Sequence, residues 1–168
     1  LRVLQNKVAN SLFPLTDDKY VNLVIPIDPF KDMITSLKDN LGMSGSRPDI
    51  LAVSIYYHEQ PISLKFTPIE VKHRSGVLID RERKSALGQA SEFSKFLAEM
   101  DSLAKVETIW KIAQSSLLTN MIDFGFRTAS SLEAMGGSKA WAEIHSVVLQ
   151  AIMSGEAIRE IDHRGRLI

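Results

Sequence analysis

The sequence feature that most constrains the fold is a pair of extended segments separated by four residues. Residues 50–57 form a nearly continuous run of apolar and aromatic residues, and residues 62–72 resume the same β-branched and aromatic character. The connection at residues 58–61 is polar and ends in Pro61, which favours a tight turn. Two such runs predict an antiparallel hairpin. The unbroken apolar character of the first run predicts a strand that is covered on both faces.

The residues before the hairpin predict one more strand and a helix. Residues 21–27 have the composition of a strand, in which Pro26 indicates an edge position or a strand end. Asp28 and Pro29 then predict a helix start, with Asp28 as the N-cap. That helix should end near Gly42, where a glycine- and serine-rich loop leads to Asp49. Within the second hairpin strand, Pro68 predicts a bulge or an edge.

Beyond the hairpin the spacing of apolar residues changes to three and four. This period predicts amphipathic helices over residues 84–100, 103–124 and 139–153, with Gly125 and Ser138 as candidate caps. The stripes of the last two helices predict core packing or an interface with a neighbouring domain or subunit. They comprise Ile109, Trp110, Ala113, Leu117, Met121 and Phe124, and Trp141, Ile144, Val148 and Ile152. Residues 157–161 predict a last strand, and residues 162–166 predict a polar turn.

These elements predict a mixed α/β fold, in which helices flank a small central mixed sheet that contains the hairpin. The length of 168 residues suits a single domain, with a core over about residues 20–100 and a helical part over about residues 101–168. Because the first residue is Leu1, we expect a fragment of a longer protein.

The composition excludes several kinds of chemistry. The chain has no cysteine, which excludes disulfides, zinc–thiolate sites and a thiol nucleophile, and it fits a cytoplasmic location. No apolar run reaches the roughly 18 residues of a membrane span. The 20 basic residues balance the 20 acidic ones, so the total charge neither supports nor excludes a nucleic acid partner. Motifs of ATPases, zinc proteases and serine hydrolases are also missing from the sequence.

Three charged residues lie where the hairpin would bring them together. Glu70 and Lys72 share one face of a strand because side chains alternate. Asp49 directly precedes the first hairpin strand, so antiparallel pairing would bring it to the strand end that carries Glu70. Two carboxylates at one sheet end are typical of a Mg²⁺ site that also binds phosphate. The alternative is a plain ion pair between Glu70 and Lys72.

This arrangement resembles the PD-(D/E)xK nuclease superfamily. The matching residues are Pro48-Asp49 and, after a hairpin-sized gap, Glu70-Val71-Lys72. The resemblance covers about residues 20–100 and implies a restriction-endonuclease-like core with additional C-terminal helices. It also implies that Asp49, Glu70 and the carbonyl of Val71 bind Mg²⁺, or Mn²⁺ in its place. Lys72 would then assist the attacking water.

A second motif is similar to one in the RecB-like branch of that superfamily. Gln89 precedes Phe93 by four residues early in a predicted helix, as in the Gln-x-x-x-aromatic motif. The resemblance implies that Gln89 positions Lys72 or the DNA. It further implies a metal-dependent deoxyribonuclease of DNA repair or phage defence, which acts with other domains or subunits such as an ATP-driven helicase or translocase.

Two departures from the family keep an alternative function open. The family often has a further acid on the helix before the hairpin, where this chain offers only Asp32 and Asp39. RecB-like enzymes also commonly have a histidine upstream of the first aspartate, whereas the first histidine here is His58. The alternative is a catalytically inactive nuclease-like domain that binds DNA or another protein.

The segment that follows the hairpin is rich in basic residues. A basic loop beside a metal site would contact the phosphate backbone, although Asp80 and Glu82 dilute its charge and leave a solvated loop as the alternative. His73 follows Lys72 and should point to the opposite face, in a structural or surface role. The residues predicted to contact nucleic acid are Arg47, Arg74, Arg81, Arg83 and Lys84.

Overall fold

The computed structural model describes residues 20–72, 79–131 and 139–168. His73, Arg74 and Ser138 lie outside these ranges, so the predictions made for them have no structural counterpart here. The strands are β1 (Tyr20–Pro26), β2 (Ile50–Tyr56), β3 (Ser63–Glu70), β4 (Ile158–Ile161) and β5 (Arg166–Leu167). The α-helices are α1 (Lys31–Asn40), α2 (Asp80–Ala104), α3 (Thr108–Ser131) and α4 (Lys139–Ser154).

The strands form one mixed sheet, which confirms the predicted mixed α/β fold. β2 pairs antiparallel with both β1 and β3, so the predicted hairpin is present. β4 pairs parallel with the first half of β3, and β5 pairs parallel with its last two residues. The predicted strand over residues 157–161 is therefore confirmed, and it joins the sheet beside the hairpin.

The two prolines of the strands have different positions. Pro26 is the last residue of the edge strand β1, as predicted. Pro68 lies inside β3, which is paired on both sides, so its predicted edge position is wrong. On the side away from β2, Pro68 falls between the last partner of β4, at Phe66, and the first partner of β5, at Ile69. Proline has no backbone N–H to donate, and Pro68 lies at the gap between β4 and β5, where neither strand is paired with it.

The main core lies between one face of the sheet and the helices. Val53 of β2 is paired with Leu23 on β1 and with Phe66 on β3, and all three side chains are buried. The same core includes Phe93 of α2, Leu117 of α3 and Val148 of α4, so the predicted core role of the helices is confirmed. Each such side chain contributes about 1.5–3 kcal/mol through its burial. A smaller cluster on the opposite face contains Ala52 and Ile69.

A close approach between α3 and β1 corrects one prediction. Gly125 was expected to end a helix, but it lies inside α3, which continues to Ser131. A Cβ atom at Gly125 would be 3.0 Å from Ile25 Cγ1 and 3.1 Å from Leu23 Cδ1. A larger residue there would require Ile25 and Leu23 to shift, because the helix backbone packs closely on the edge strand. At the other end of α3, Ile109 is 67% exposed, so its predicted place in the core is wrong.

The prediction that Asp28 caps a helix is also wrong. A short 3₁₀ turn over Asp28–Phe30 precedes α1, and no side chain caps either segment. Asp28 instead accepts a hydrogen bond from Arg47 Nη2 at 2.9 Å. This ion pair ties the start of the helical segment to the loop that precedes β2.

A polar cluster joins α2, α3 and β4 beneath the sheet. Asp101 Oδ1 accepts from Gln114 Nε2 at 3.2 Å and lies 3.1 Å from Arg159 Nε, while Arg159 Nη1 donates to Gln114 Oε1 at 2.6 Å. Burial alone would raise the pKa of Asp101. The hydrogen bonds from Lys105 and Gln114 and the charge of Arg159 outweigh burial and lower that pKa below its usual value. The cluster therefore depends on an ionised Asp101.

Across residues 20–72, 79–131 and 139–168, no helix combines the length and the apolar character that crossing a membrane would require.

Candidate functional site

The hairpin register brings Asp49 to the strand end that carries Glu70. Ile50 is paired with Ile69, and one further step in an antiparallel register places Asp49 opposite Glu70. The Asp49 carboxylate accepts a hydrogen bond at Oδ2 from the backbone N–H of Val71, at 2.9 Å. Its backbone carbonyl accepts from Ile27 N at 3.0 Å. Asp49 is thus held at the junction of β1, β2 and β3.

The Glu70 carboxylate is buried and hydrogen-bonded from two directions. Its side chain is only 4% exposed, whereas the side chain of Lys72 is 37% exposed. Lys72 Nζ donates to Glu70 Oε1 at 2.5 Å. With its amide oriented to satisfy both groups, Gln89 donates from Nε2 to Oε1 at 2.6 Å and to Oε2 at 3.1 Å. The structure therefore brings Asp49, Glu70, Lys72 and Gln89 together at one end of the sheet.

Strand β5 and Ile168 pair with the end of β3 that carries Glu70. Leu167 is the register partner of Glu70. Ile168 N donates to the carbonyl of Glu70 at 3.0 Å, and Lys72 N donates to the carbonyl of Ile168 at 2.9 Å. These bonds fix the backbone on both sides of Val71. Because residues 162–166 were predicted only as a polar turn, this pairing with β3 was not expected from the sequence.

A buried lysine supports the loop that leads into Asp49. Lys38 of α1 is 5% exposed, and its Nζ donates to the carbonyl of Ser46 at 3.0 Å. The ammonium also lies 5.8 Å from the ring centroid of Phe93, within range for a cation–π contact. Burial lowers the pKa of Lys38, and the charge of Glu92 on α2 partly offsets that effect. The available sequence signal was a lysine four residues after Ile34, on the apolar face of its helix.

The five residues predicted to contact nucleic acid fall into three groups by their location. Arg47 lies in the loop before Asp49 and is paired with Asp28. Arg81, Arg83 and Lys84 are exposed and belong to the first two turns of α2. The predicted loop is therefore wrong for Arg81 and Arg83, whereas Lys84 was predicted to begin the helix. Arg74 lies outside the residues that the structure describes.

The donor set at the sheet end fits Mg²⁺ better than zinc. Two carboxylates are present, and both retain acceptor capacity beyond the hydrogen bonds described above. Mg²⁺ commonly binds one or two carboxylates and keeps several waters, whereas structural zinc sites use four protein ligands. Over the described ranges no group of three or more His, Cys, Asp or Glu side chains is arranged to hold a metal. The two acids of α1, Asp32 and Asp39, are both exposed.

Comparison with known proteins gave no match to a family model, to a curated protein or to a solved structure.

Proposed function

We propose that this chain hydrolyses DNA phosphodiester bonds in the presence of Mg²⁺, at the site formed by Asp49, Glu70, Lys72 and Gln89. The observation that carries this proposal is the convergence of polar groups from separate segments on one buried carboxylate. Burying a charge is unfavourable unless it is hydrogen-bonded, and groups in such environments are concentrated at functional sites. Glu70 is buried, yet it receives a cation from Lys72, two residues beyond the end of β3, and an amide from Gln89 on α2.

The proposed division of roles follows from the position of each side chain. Asp49, Glu70 and the carbonyl of Val71 would hold Mg²⁺, which supplies Lewis-acid stabilisation of a phosphate and lowers the pKa of water. Gln89 holds the Glu70 carboxylate in a fixed orientation. Lys72 is partly exposed and carries its donors at the same strand end, where they can orient an attacking water or neutralise a phosphoryl oxygen.

The proposed reaction is a direct displacement at phosphorus. The oxygen of a water molecule bonds to phosphorus while the ester P–O bond breaks, and the bridging oxygen leaves with the other DNA fragment. The proton lost by the water passes to solvent, and the leaving oxygen takes up a proton from solvent to become a hydroxyl group. No residue of the chain becomes covalently linked to DNA. The resemblance to the PD-(D/E)xK superfamily supports this class of reaction. It also supports a role in DNA repair or phage defence, alongside an ATP-driven partner.

A second candidate is an inactive nuclease-like domain that binds DNA or another protein. The exposure of Asp32 and Asp39 favours the inactive domain, because neither acid joins Asp49 and Glu70 as a third metal ligand.

The test is cleavage of linear and circular DNA with Mg²⁺, with Mn²⁺ and with EDTA. Asp49→Asn tests the charge of Asp49 alone, because the asparagine retains an oxygen that can accept the hydrogen bond from Val71 N. Glu70→Gln and Lys72→Met remove the other two charges. We expect each to lower the rate about 10²–10³-fold, the range for loss of one electrostatic contact in a transition state.

Matched controls are the exposed residues Asp39→Asn and Lys95→Gln, which should leave the rate unchanged. DNA binding without cleavage by the unaltered chain would favour the inactive domain. Cleavage that persists in Glu70→Gln would show that the site lies elsewhere.

A further inference from the structure

A groove with three arginines lies beside the candidate site. It runs between Arg83 and Leu87 on α2 and the segment 162–168, and it has a volume of about 610 Å³. We call this surface the arginine groove. Arg164 and Arg166 come from the segment that follows β4, to which the sequence patterns assigned no function.

The turn that carries two of these arginines is fixed against α2. The hydroxyl of Ser94 donates to the carbonyl of Asp162 at 2.7 Å. Gly165 has a φ of 62°, and a Cβ added there would lie 2.5 Å from the Cβ of Ala90. Only glycine permits both this backbone conformation and this approach. The arginines therefore project from a rigid support, which reduces the entropy lost when they bind a ligand.

The charge of the groove is predominantly positive. Asp162 is its acidic lining residue, and its carboxylate lies 3.4 Å from Arg166 Nη2 and accepts from Arg164 N at 3.1 Å. In the part of the chain that the structure describes, no ion pair joins the guanidinium of Arg83 or Arg164 to an acidic side chain, and both residues are exposed. Among the described residues that line the groove, three guanidinium groups against one carboxylate leave a surface that attracts a polyanion.

The position of the groove connects it to the candidate site. Leu167, which lines the groove, is the register partner of Glu70, so their backbones are about 4.8 Å apart. Arg83 precedes Gln89 by six residues on α2, which is about 9 Å along the helix axis. Each DNA strand carries one phosphate per ~3.4 Å of duplex axis, so this distance spans about three phosphates.

We infer that the arginine groove binds the phosphate backbone of a DNA strand, with Arg83 and Arg164 as the main contacts. The choice of DNA over another polyanion rests on the proposed function, but the binding itself requires no cleavage. Phosphate contacts of this kind are independent of base sequence and release bound counterions.

The test is fluorescence anisotropy of a labelled duplex of about 30 base pairs titrated with the whole chain in EDTA, which prevents metal-dependent cleavage. Arg83→Gln and Arg164→Gln should each weaken binding about eightfold at roughly 0.1 M salt, and together about 60-fold. Each should also reduce the slope of log K against log salt by about 0.9, the contribution of one phosphate contact to duplex DNA. Arg164→Lys should restore most of the affinity, because a phosphate also binds a point charge.

The control is Lys111→Gln, an exposed cation on α3, which should bind DNA like the unaltered chain. Equal binding by the arginine variants and this control would overturn the inference, as would an unaltered chain that binds polyglutamate but not DNA. Loss of binding in the arginine variants of a chain that never cleaves DNA would support the groove and refute hydrolysis. Cleavage with an unchanged KM in those variants would refute the groove alone.

Discussion

Two glycines in the middle of helices should respond in opposite ways to the same substitution. Gly88 lies inside α2, where a Cβ atom would have no neighbour within 4 Å, and Gly125 lies inside α3 against β1. Neither has a positive φ, so alanine fits the backbone at both. The two variants Gly88→Ala and Gly125→Ala therefore differ mainly in what the added methyl group meets.

The expected magnitudes follow from that contrast. Alanine in a helix interior is favoured over glycine by about 0.5–1 kcal/mol, which Gly88→Ala should gain in full. At Gly125 the methyl group would meet Ile25 at 3.0 Å, and Ile25 is fully buried. Overpacking of this kind costs about 1–3 kcal/mol. The Gly125→Ala variant should thus be about 1–3 kcal/mol less stable than Gly88→Ala.

Urea unfolding followed by circular dichroism measures the difference directly, with the slope m checked for constancy between variants. For a chain of this size, each 1 kcal/mol corresponds to about 2–4 °C in Tm, so thermal melts provide an independent measure. An equal gain in stability at both positions would show that the backbone of α3 does not approach β1 as closely as described.

Two further predictions concern ionisation and metal binding. Because the folded pKa of Asp101 is lowered, the stability it provides is complete above its unfolded pKa and is lost as the pH falls through the folded pKa. Asp101→Asn should therefore cost about 1–3 kcal/mol at pH 7 and progressively less below about pH 4; a constant difference in urea unfolding between pH 7 and pH 3 would contradict this. Mg²⁺ at about ten times its Kd should stabilise the chain by about 1.4 kcal/mol, which corresponds to about 3–6 °C in Tm. Glu70→Gln should abolish that shift in Tm. An undiminished shift in this variant would show that the ion binds elsewhere.

The parts of the fold that were predicted correctly depend on local patterns. The hairpin follows from two apolar runs and the polar turn between them, and its register then brings Asp49 opposite Glu70. A place for Gln89 in the site was expected from the motif resemblance alone, beside Lys72 or the DNA, whereas in the structure its amide contacts Glu70. The geometry of this contact depends on how α2 crosses the sheet, which no local pattern specifies.

The parts that were missed depend on tertiary contacts or on competing local signals. Gly125 has the residue type of a helix end, but the close packing on β1 determines its position. Arg81 and Arg83 were assigned to a loop because the helical spacing of apolar residues begins only after them. The acids Asp80 and Glu82, which favour a helix N-terminus, indicated the earlier start of α2. The burial of Lys38 is set by three segments that meet only in the folded chain.

The pairing of β3 with β4 has a consequence for the time at which the site is completed during synthesis. Lys65 and Glu160, which form an ion pair across these strands, are 95 residues apart. At about 5–20 residues per second, the ribosome needs about 5–20 s to make the intervening chain. During that interval one edge of the Glu70 strand has no partner, and open edges pair readily with other chains. Because residues 166–168 also bond to the end of β3, the candidate site can assemble fully only after they have been synthesised, well after the hairpin that carries Asp49 and Glu70.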